Sequence, residues 1–343
     1  MSHHTLADLG WTGFYLQQLD LDELALPRLR VAEVHRNRLT AIGEAGLHPL
    51  PLPPSHPTTD FAVGDWVLAT PDGAYHRTLD RHTLLQRGAP GSGTATQLIA
   101  ANIDTAFLTT SCNADFNPNR LERYLALTSE AGCEPVILLT KSDLAADPDQ
   151  FRARAQALKR GMAVVALDAR VPGDRLADWC RNGQTVALLG SSGVGKSTLM
   201  NALCGTDALT AAIREDDARG RHTTTARALH PMTAGGWIID TPGMRELRLA
   251  DASDGIDAVF DDVSALVPFC RFRNCQHQGE PGCAIGDAIA AGTLDPGRLA
   301  RWQKLRREDR RTSETLHQTR ARIRTFERIH KPRTKPARPG DKS

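Results

Sequence analysis

No stretch of 18 consecutive apolar residues occurs anywhere in the 343-residue chain, which argues against a membrane-spanning helix. Residues 1–10 lack both a basic n-region and an apolar core, so no secretory signal is expected there. Aromatic residues make up only 5% of the chain, and cysteines number seven, an odd count that fits a reducing compartment better than a disulfide scaffold. Net charge is nearly absent too, at +2, but it is unevenly spread. From Arg298 to Ser343 there are 16 Lys and Arg against 5 Asp and Glu, a surplus of +11 that leaves residues 1–297 at −9. A basic C-terminal segment on an acidic body suits a polyanionic partner such as RNA.

The length accommodates two or three domains. Residues 1–27 read as a leader with Trp11, Phe14 and Leu16 as packing anchors. Residues 28–92 carry short β-rich pieces, Leu29–Val34 and Trp66–Thr70, broken by prolines and turns, as in a small barrel. Gly88–Gly93 has linker composition. Over 93–250, apolar runs at Thr105–Thr110, Pro135–Thr140, Ala163–Leu167, Thr185–Gly190 and Trp237–Asp240 alternate with helical patterns such as Leu121–Ala131 and Asp149–Lys159. That alternation predicts a parallel α/β sheet. Residues 251–330 read as helical with one Cys/His insert, and 331–343 as a basic, disordered tail.

Gly190-Ser191-Ser192-Gly193-Val194-Gly195-Lys196-Ser197 is a complete Walker A loop between a strand and a helix that begins near Thr198. Its glycines let backbone N–H groups curl around an anion, Lys196 would reach the β- and γ-phosphates, and Ser197 would ligate Mg²⁺. Asp240-Thr241-Pro242-Gly243 ends an apolar strand, where Asp240 can hold the Mg²⁺ shell and the Gly243 amide can meet the γ-phosphate. Between the two elements, Thr224 in Gly220-Arg221-His222-Thr223-Thr224-Thr225 can close on Mg²⁺ as a switch. Thr140-Lys141-Ser142-Asp143 follows another strand and supplies base choice. A buried Asp143 would accept from guanine N1 and N2, while the Lys141 stem covers the base; adenine would leave that carboxylate unpaired. Thr140 stands where Asn is usual, so the amide that braces neighbouring loops is expected to be lost and affinity lowered. A final base-side element, usually Ser-Ala, finds its best candidate in Leu167-Asp168-Ala169.

The base element precedes the phosphate loop, so the domain must be circularly permuted, which is tolerable where the original termini lie close together. Cys270, Cys275, His277 and Cys283 place three thiolates and one imidazole within 14 residues, a set suited to one closed, structural, tetrahedral Zn²⁺ site.

These motifs, with Gly64-Asp65-Trp66-Val67 and Ala100-Ala101-Asn102-Ile103-Asp104, resemble the RsgA (YjeQ) family of circularly permuted, ribosome-small-subunit-dependent GTPases over roughly Arg30–Arg307. The resemblance implies an N-terminal OB-fold, a barrel type that commonly binds RNA, followed by the permuted GTPase and a C-terminal zinc domain. It further implies GTP hydrolysis stimulated by the small (30S) subunit, contact with its rRNA, and action in late subunit maturation in the cytoplasm, as a monomer without membrane attachment. Met244 occupies the position after Gly243 where many GTPases carry a water-orienting Gln. Methionine cannot orient water, so both the residue pattern and the resemblance direct attention to His222 as the catalytic residue. The rival readings are an ATPase and a nucleotide-dependent RNA-binding scaffold with little turnover.

Overall fold

A computed structural model describes residues 3–36, 38–88, 96–205, 227–241, 249 and 251–330, with side chains in the last helix followed as far as 313. His222, Thr224, Gly243, Met244 and the 331–343 tail lie outside these residues.

The sheet that carries the motifs has six strands. They are β8 (Thr105–Ser111), β9 (Glu134–Thr140), β10 (Ala163–Ala166), β11 (Thr185–Gly190), β12 (Leu229–Pro231) and β13 (Trp237–Asp240), in the spatial order β10-β9-β8-β11-β13-β12. All neighbours are parallel except β12, which runs antiparallel to β13. Every residue of β8 and β11 is buried, because helices cover both faces and leave no side of those strands to water. One apolar cluster, including Phe107, Val136, Leu188, Leu199 and Ile238, fills one face; a larger one, including Leu108, Leu125, Ile137, Leu189 and Ile239, fills the other. The first strand in the chain, β8, lies beside the central β11 in the sheet.

The helices start where their sequences dictate. α2 (Pro118–Glu130) has Pro118 in its first turn and is capped by Asn117, whose side chain accepts from Arg120 N at 3.1 Å; α3 (Pro148–Gln156) repeats the device with Asp147. α5 (Lys196–Cys204) opens at the phosphate loop and ends on Gly205. A single turn, α4 (Ala177–Cys180), leads into β11.

Ahead of the sheet, β1 (Arg28–Val34), β2 (Leu39–Gly43), β3 (Gly46–Leu50), β4 (Trp66–Ala69) and β5 (Tyr75–Thr78) form an antiparallel sheet ordered β3-β2-β1-β4-β5. Its ends meet where Tyr75 N donates to Pro51 O at 3.3 Å, giving the partly open five-stranded barrel of an OB-fold around Val31, Leu39, Leu50 and Val67. β6 (Leu84–Gly88) and β7 (Thr96–Ala101) pair antiparallel across the glycine-rich stretch, so the chain is hydrogen-bonded to itself on both sides of position 92.

The leader contains one helical turn, α1 (Gly13–Leu16), and docks between barrel and sheet. Trp11 meets Trp66 edge-on at 4.9 Å, as expected of an anchor. Phe14 (38% exposed) meets Tyr15 and His82 edge-on without being buried, and Leu16 (48% exposed) faces solvent; the residues that bury instead are Leu9 and Tyr15. Beneath them Arg30 is fully enclosed. It donates to Leu9 O (2.8 Å), Gly64 O (3.4 Å), Asn102 O (3.0 Å) and Thr185 Oγ1 (2.8 Å), thereby touching leader, barrel and sheet at once.

After the sheet come α6 (Ser253–Val259), α7 (Asp261–Ser264), α8 (Ala284–Ala290) and α9 (Pro296–His330). α6 packs on α2, and the whole unit is tied to the sheet domain by Glu122 on α2, whose Oε1 accepts from Arg298 Nη1 at 3.0 Å and Arg301 Nε at 2.9 Å. No helix among the described residues is long and apolar enough to cross a membrane.

Candidate functional site

The phosphate loop, the Thr140–Asp143 turn, the loop after β10 and Asp240 all lie at the carboxyl ends of their parallel strands, the edge at which such sheets bind ligands. Gly190 (φ 155°) passes Thr109 so closely that a Cβ would stand 2.4 Å from the Thr109 carbonyl oxygen, and Gly195 (φ 94°) turns the chain into α5. These two glycines let the loop wrap the helix N-terminus, where free N–H groups and the helix dipole favour an anion. Ser192, Gly193, Ser197 and Thr198 are open to solvent, while Val194 is buried beneath the loop. Lys196 Nζ donates to Gly190 O at 2.9 Å and Ser191 O at 2.6 Å, so its ammonium lies across the loop. Asp240, one strand away, is half-buried. Burial pushes its carboxyl above the usual range, against the pull of the Lys196 and His230 charges.

Thr140 corrects an expectation. Its hydroxyl is 2.5 Å from Val194 O and 3.1 Å from Thr110 O, so it ties the base-side strand to the underside of the phosphate loop. The brace expected to vanish with the asparagine amide is therefore kept by a shorter side chain. Lys141 adopts a left-handed backbone (φ 56°) and extends its ammonium to Gly193 O at 2.8 Å, laying its stem between the two loops. Asp143, expected to be buried, has a side chain that is 30% accessible. An edge that a base must reach from solvent cannot be sealed by protein.

Two participants escaped the sequence reading. Asp115, in the loop after β8, accepts from Ser191 Oγ at 2.8 Å and from Arg120 Nη2 at 2.8 Å, securing the front of the phosphate loop. Arg170 bridges Asp143 and Asp168. The close spacing of Asp168 and Arg170 in the third loop was its only sequence signal. Of the remaining motif residues, His222, Thr224 and Gly243 are outside the described residues.

The Cys/His insert comes together as expected. The ligand atoms of Cys270, Cys275, His277 and Cys283 all lie within 4.8 Å of one another. His277 Nδ1 is 3.6 Å from Cys270 Sγ and 3.5 Å from Cys283 Sγ. Metal bonds of about 2.3 Å to sulfur and about 2.0 Å to nitrogen at the tetrahedral angle separate S and N by roughly 3.5 Å, so the donor set fits a metal. The shell around it is fixed. Gly286 N donates to Cys283 Sγ at 3.3 Å, and Glu280 accepts from Gln276 N and Gln278 N at 2.7 Å each, holding the loop on which His277 takes its left-handed φ of 58°.

A sheet with the Walker A loop on its central strand and the Thr140-Lys141-Ser142-Asp143 turn on a strand that comes earlier in the chain defines a circularly permuted P-loop GTPase, a nucleotide hydrolase. Comparison with known proteins agrees. A family model described as RsgA GTPase matches residues 78–250. The small ribosomal subunit biogenesis GTPase RsgA of Mesorhizobium japonicum is 55% identical over 315 residues, covering 90% of this chain and 91% of that protein. RsgA 2 of Vibrio parahaemolyticus is 47% identical over 329 residues, covering 94% and 91%. Two solved structures share the fold at 24% identity. YjeQ from Thermotoga maritima has a TM-score of 0.60 over 81% of this chain and 96% of its own, and YloQ, titled a circularly permuted GTPase, has 0.58 over 83% and 96%. The chain belongs to the RsgA GTPase family.

Proposed function

We propose that this protein hydrolyses GTP to GDP and phosphate in response to the small ribosomal subunit, during late maturation of that subunit in the cytoplasm. The observation that carries the reading is the convergence of Lys196, Asp143 and Asp240 at one sheet edge in a chain more than half identical to a small-subunit biogenesis GTPase.

In this reading the loop Gly190–Ser197 and Thr198 in the first turn of α5 enclose the phosphates, with Lys196 leaving its two carbonyl acceptors for the β- and γ-oxygens. Ser197, Thr224 and Asp240 hold the Mg²⁺ that accompanies the nucleotide and neutralises charge growing between the phosphates. Gly243 contacts the γ-phosphate. Thr140, Lys141, Ser142 and Asp143 seat guanine. His222 orients the attacking water, since Met244 cannot. The Cys270–Cys275–His277–Cys283 set holds one structural Zn²⁺, all four positions being taken by protein. The barrel of residues 28–92, the 251–330 unit and the 331–343 tail supply the rRNA-binding surfaces, around the nucleotide domain of 93–250.

The test is GTP turnover with small subunits, with large subunits and with none. Stimulation by small subunits alone is expected, and its loss in His222→Ala with GTP binding retained. Equal turnover under all three conditions would refute the ribosomal role. Stimulated turnover surviving in His222→Ala would remove His222 from the mechanism.

A further inference from the structure

A carboxylate that reads two donors of one base must keep both oxygens in the plane of that base. Asp143 sits on a short turn, Ser142–Leu144, with a partly accessible side chain that its own backbone does not fix. The loop after β10 supplies what is missing. Arg170 Nη2 donates to Asp143 Oδ2 at 2.7 Å and to Asp168 Oδ2 at 2.8 Å. Arg170 Nε lies 3.0 and 3.1 Å from the two oxygens of Asp168, and Arg170 N donates to Asp168 Oδ1 at 2.9 Å. The guanidinium is thus oriented by its own neighbour before it meets Asp143. Planarity then fixes the second Nη2 proton along one direction, toward Asp143. Among the described residues Arg170 is the only hydrogen-bond partner of the Asp143 carboxylate.

The stoichiometry leaves room for guanine. Nη2 carries two protons, one for each aspartate, and Asp143 Oδ2 has a second lone pair while Oδ1 keeps both of its own. Three acceptor sites therefore remain, more than enough for the N1–H and the 2-amino group. The ion pairs also hold the Asp168 carboxyl below its usual range, so the anchor stays charged. Without the guanidinium, two carboxylates that share one nitrogen would repel each other, and Asp143 would turn from the base.

We infer that Arg170, anchored by Asp168, is the positioning residue that sets guanine specificity, by holding the Asp143 carboxylate so that both its oxygens face the base. The inference rests on the proposed role of Asp143 and deepens it. Arg170 replaces, with a charged fork from the same loop, the small Ser-Ala element usual beside the base. Its effect falls most on the second hydrogen bond, because one misaligned bond survives rotation of a carboxylate and two do not. Guanine should feel it more than hypoxanthine, which lacks the 2-amino group.

The experiment is calorimetric titration of the full chain with GDP and IDP, for the parent, Arg170→Ala, Arg170→Lys and Asp168→Asn, with steady-state GTP turnover alongside. Arg170 is two-thirds exposed, so these variants are expected to fold. Arg170→Ala is expected to weaken GDP about tenfold, the scale of one hydrogen bond to a charged group. IDP should weaken less, so the GDP:IDP preference falls. KM should rise with kcat unchanged. Arg170→Lys should recover only part, since an ammonium cannot span both carboxylates in one plane. Asp168→Asn should lie between. An unchanged GDP:IDP preference in Arg170→Ala overturns the inference. Tighter GDP binding overturns it too, and marks Arg170 as a competitor for Asp143. Asp143→Asn serves as the control for the underlying reading, since its amide offers a donor to the C2 oxygen of xanthine and should exchange GDP for XDP. If Asp143→Asn binds GDP like the parent, the base assignment itself fails, an outcome separate from failure of Arg170.

Discussion

Replacing Glu122 should loosen the C-terminal unit from the nucleotide domain, and the size of the effect can be worked from its contacts. Its side chain is 1% exposed, and one oxygen, Oε1, takes both Arg298 and Arg301. Its other oxygen, Oε2, has no hydrogen-bond partner among the described residues. Arg298 is buried as well, lying 4.2 Å above the Phe260 ring and donating to Val259 O at 2.7 Å. Asp262 offers it a second carboxylate at 3.1 Å, but one that is half exposed. Glu122→Ala therefore strands a buried guanidinium on a partly hydrated partner, and removing one member of such a pair costs about 3–5 kcal/mol. At an m-value of about 2 kcal/mol/M, the urea midpoint of the C-terminal unit moves down by about 1.5–2.5 M. Amide hydrogen exchange during urea titration, read separately for α6, α9 and the β-sheet, reports that midpoint without assuming that the whole chain unfolds in one step. Glu122→Gln keeps the shape and one acceptor, so about 1–3 kcal/mol is expected. A loss below about 1 kcal/mol in Glu122→Ala would show that Asp262 and solvent already satisfy the arginines, and would refute the account of this interface.

Three other substitutions probe separate parts of the molecule. Thr140→Val removes a fully buried hydroxyl whose single proton is shared by Val194 O and Thr110 O, for about 1–3 kcal/mol and roughly tenfold weaker GDP in a binding titration; unchanged affinity would detach Thr140 from the phosphate loop. Asp240→Asn should raise the melting temperature of the nucleotide-free protein while abolishing Mg²⁺-dependent GTP turnover. Because the folded Asp240 pKa lies above its unfolded value, stability falls as pH rises from about 4 through the folded pKa, and the Asn variant should lose that slope in melts taken across pH. Purified protein should carry one zinc per chain by elemental analysis, and Cys283→Ser or a strong chelator should remove it and speed hydrogen exchange in α8; well under one zinc in protein prepared without chelator would count against the site.

The motif-bearing strands were legible because parallel strands buried on both faces are short and free of charge, as Thr105–Ser111 and Thr185–Gly190 are, and because helical patterns alternate with them. The order of Asp143 and Gly190 along the chain disclosed the permutation before any geometry. β2, β3 and β5 were not legible: Gly46–Leu50 contains a proline and an exposed Leu47, and its strand character comes from pairing with β2, a tertiary fact. The leader was misjudged at Phe14 and Leu16 because four helical residues are too few for a periodicity to show which face is buried, and Tyr15 lies between them. Thr140 was judged by the atom it lacks relative to Asn, whereas the fold brings Val194 O within reach of the atom it has. The link from Arg170 to Asp143 was missed for a related reason, since the two are 27 residues apart and on different loops.

Arg30 has a consequence for how the chain is made. Its four acceptors are contributed by residues 9, 64, 102 and 185. During synthesis the barrel strand that carries it is complete long before Thr185 leaves the ribosome. Until then the guanidinium lacks its Thr185 acceptor and needs water in that place, so the face of the barrel that later closes on the sheet must stay wet. The leader and barrel should therefore resist early drying and lock only when β11 arrives. A protein of this build matures late in its own synthesis, and a barrel excised on its own would keep only the Gly64 carbonyl of the four acceptors that enclose this cation.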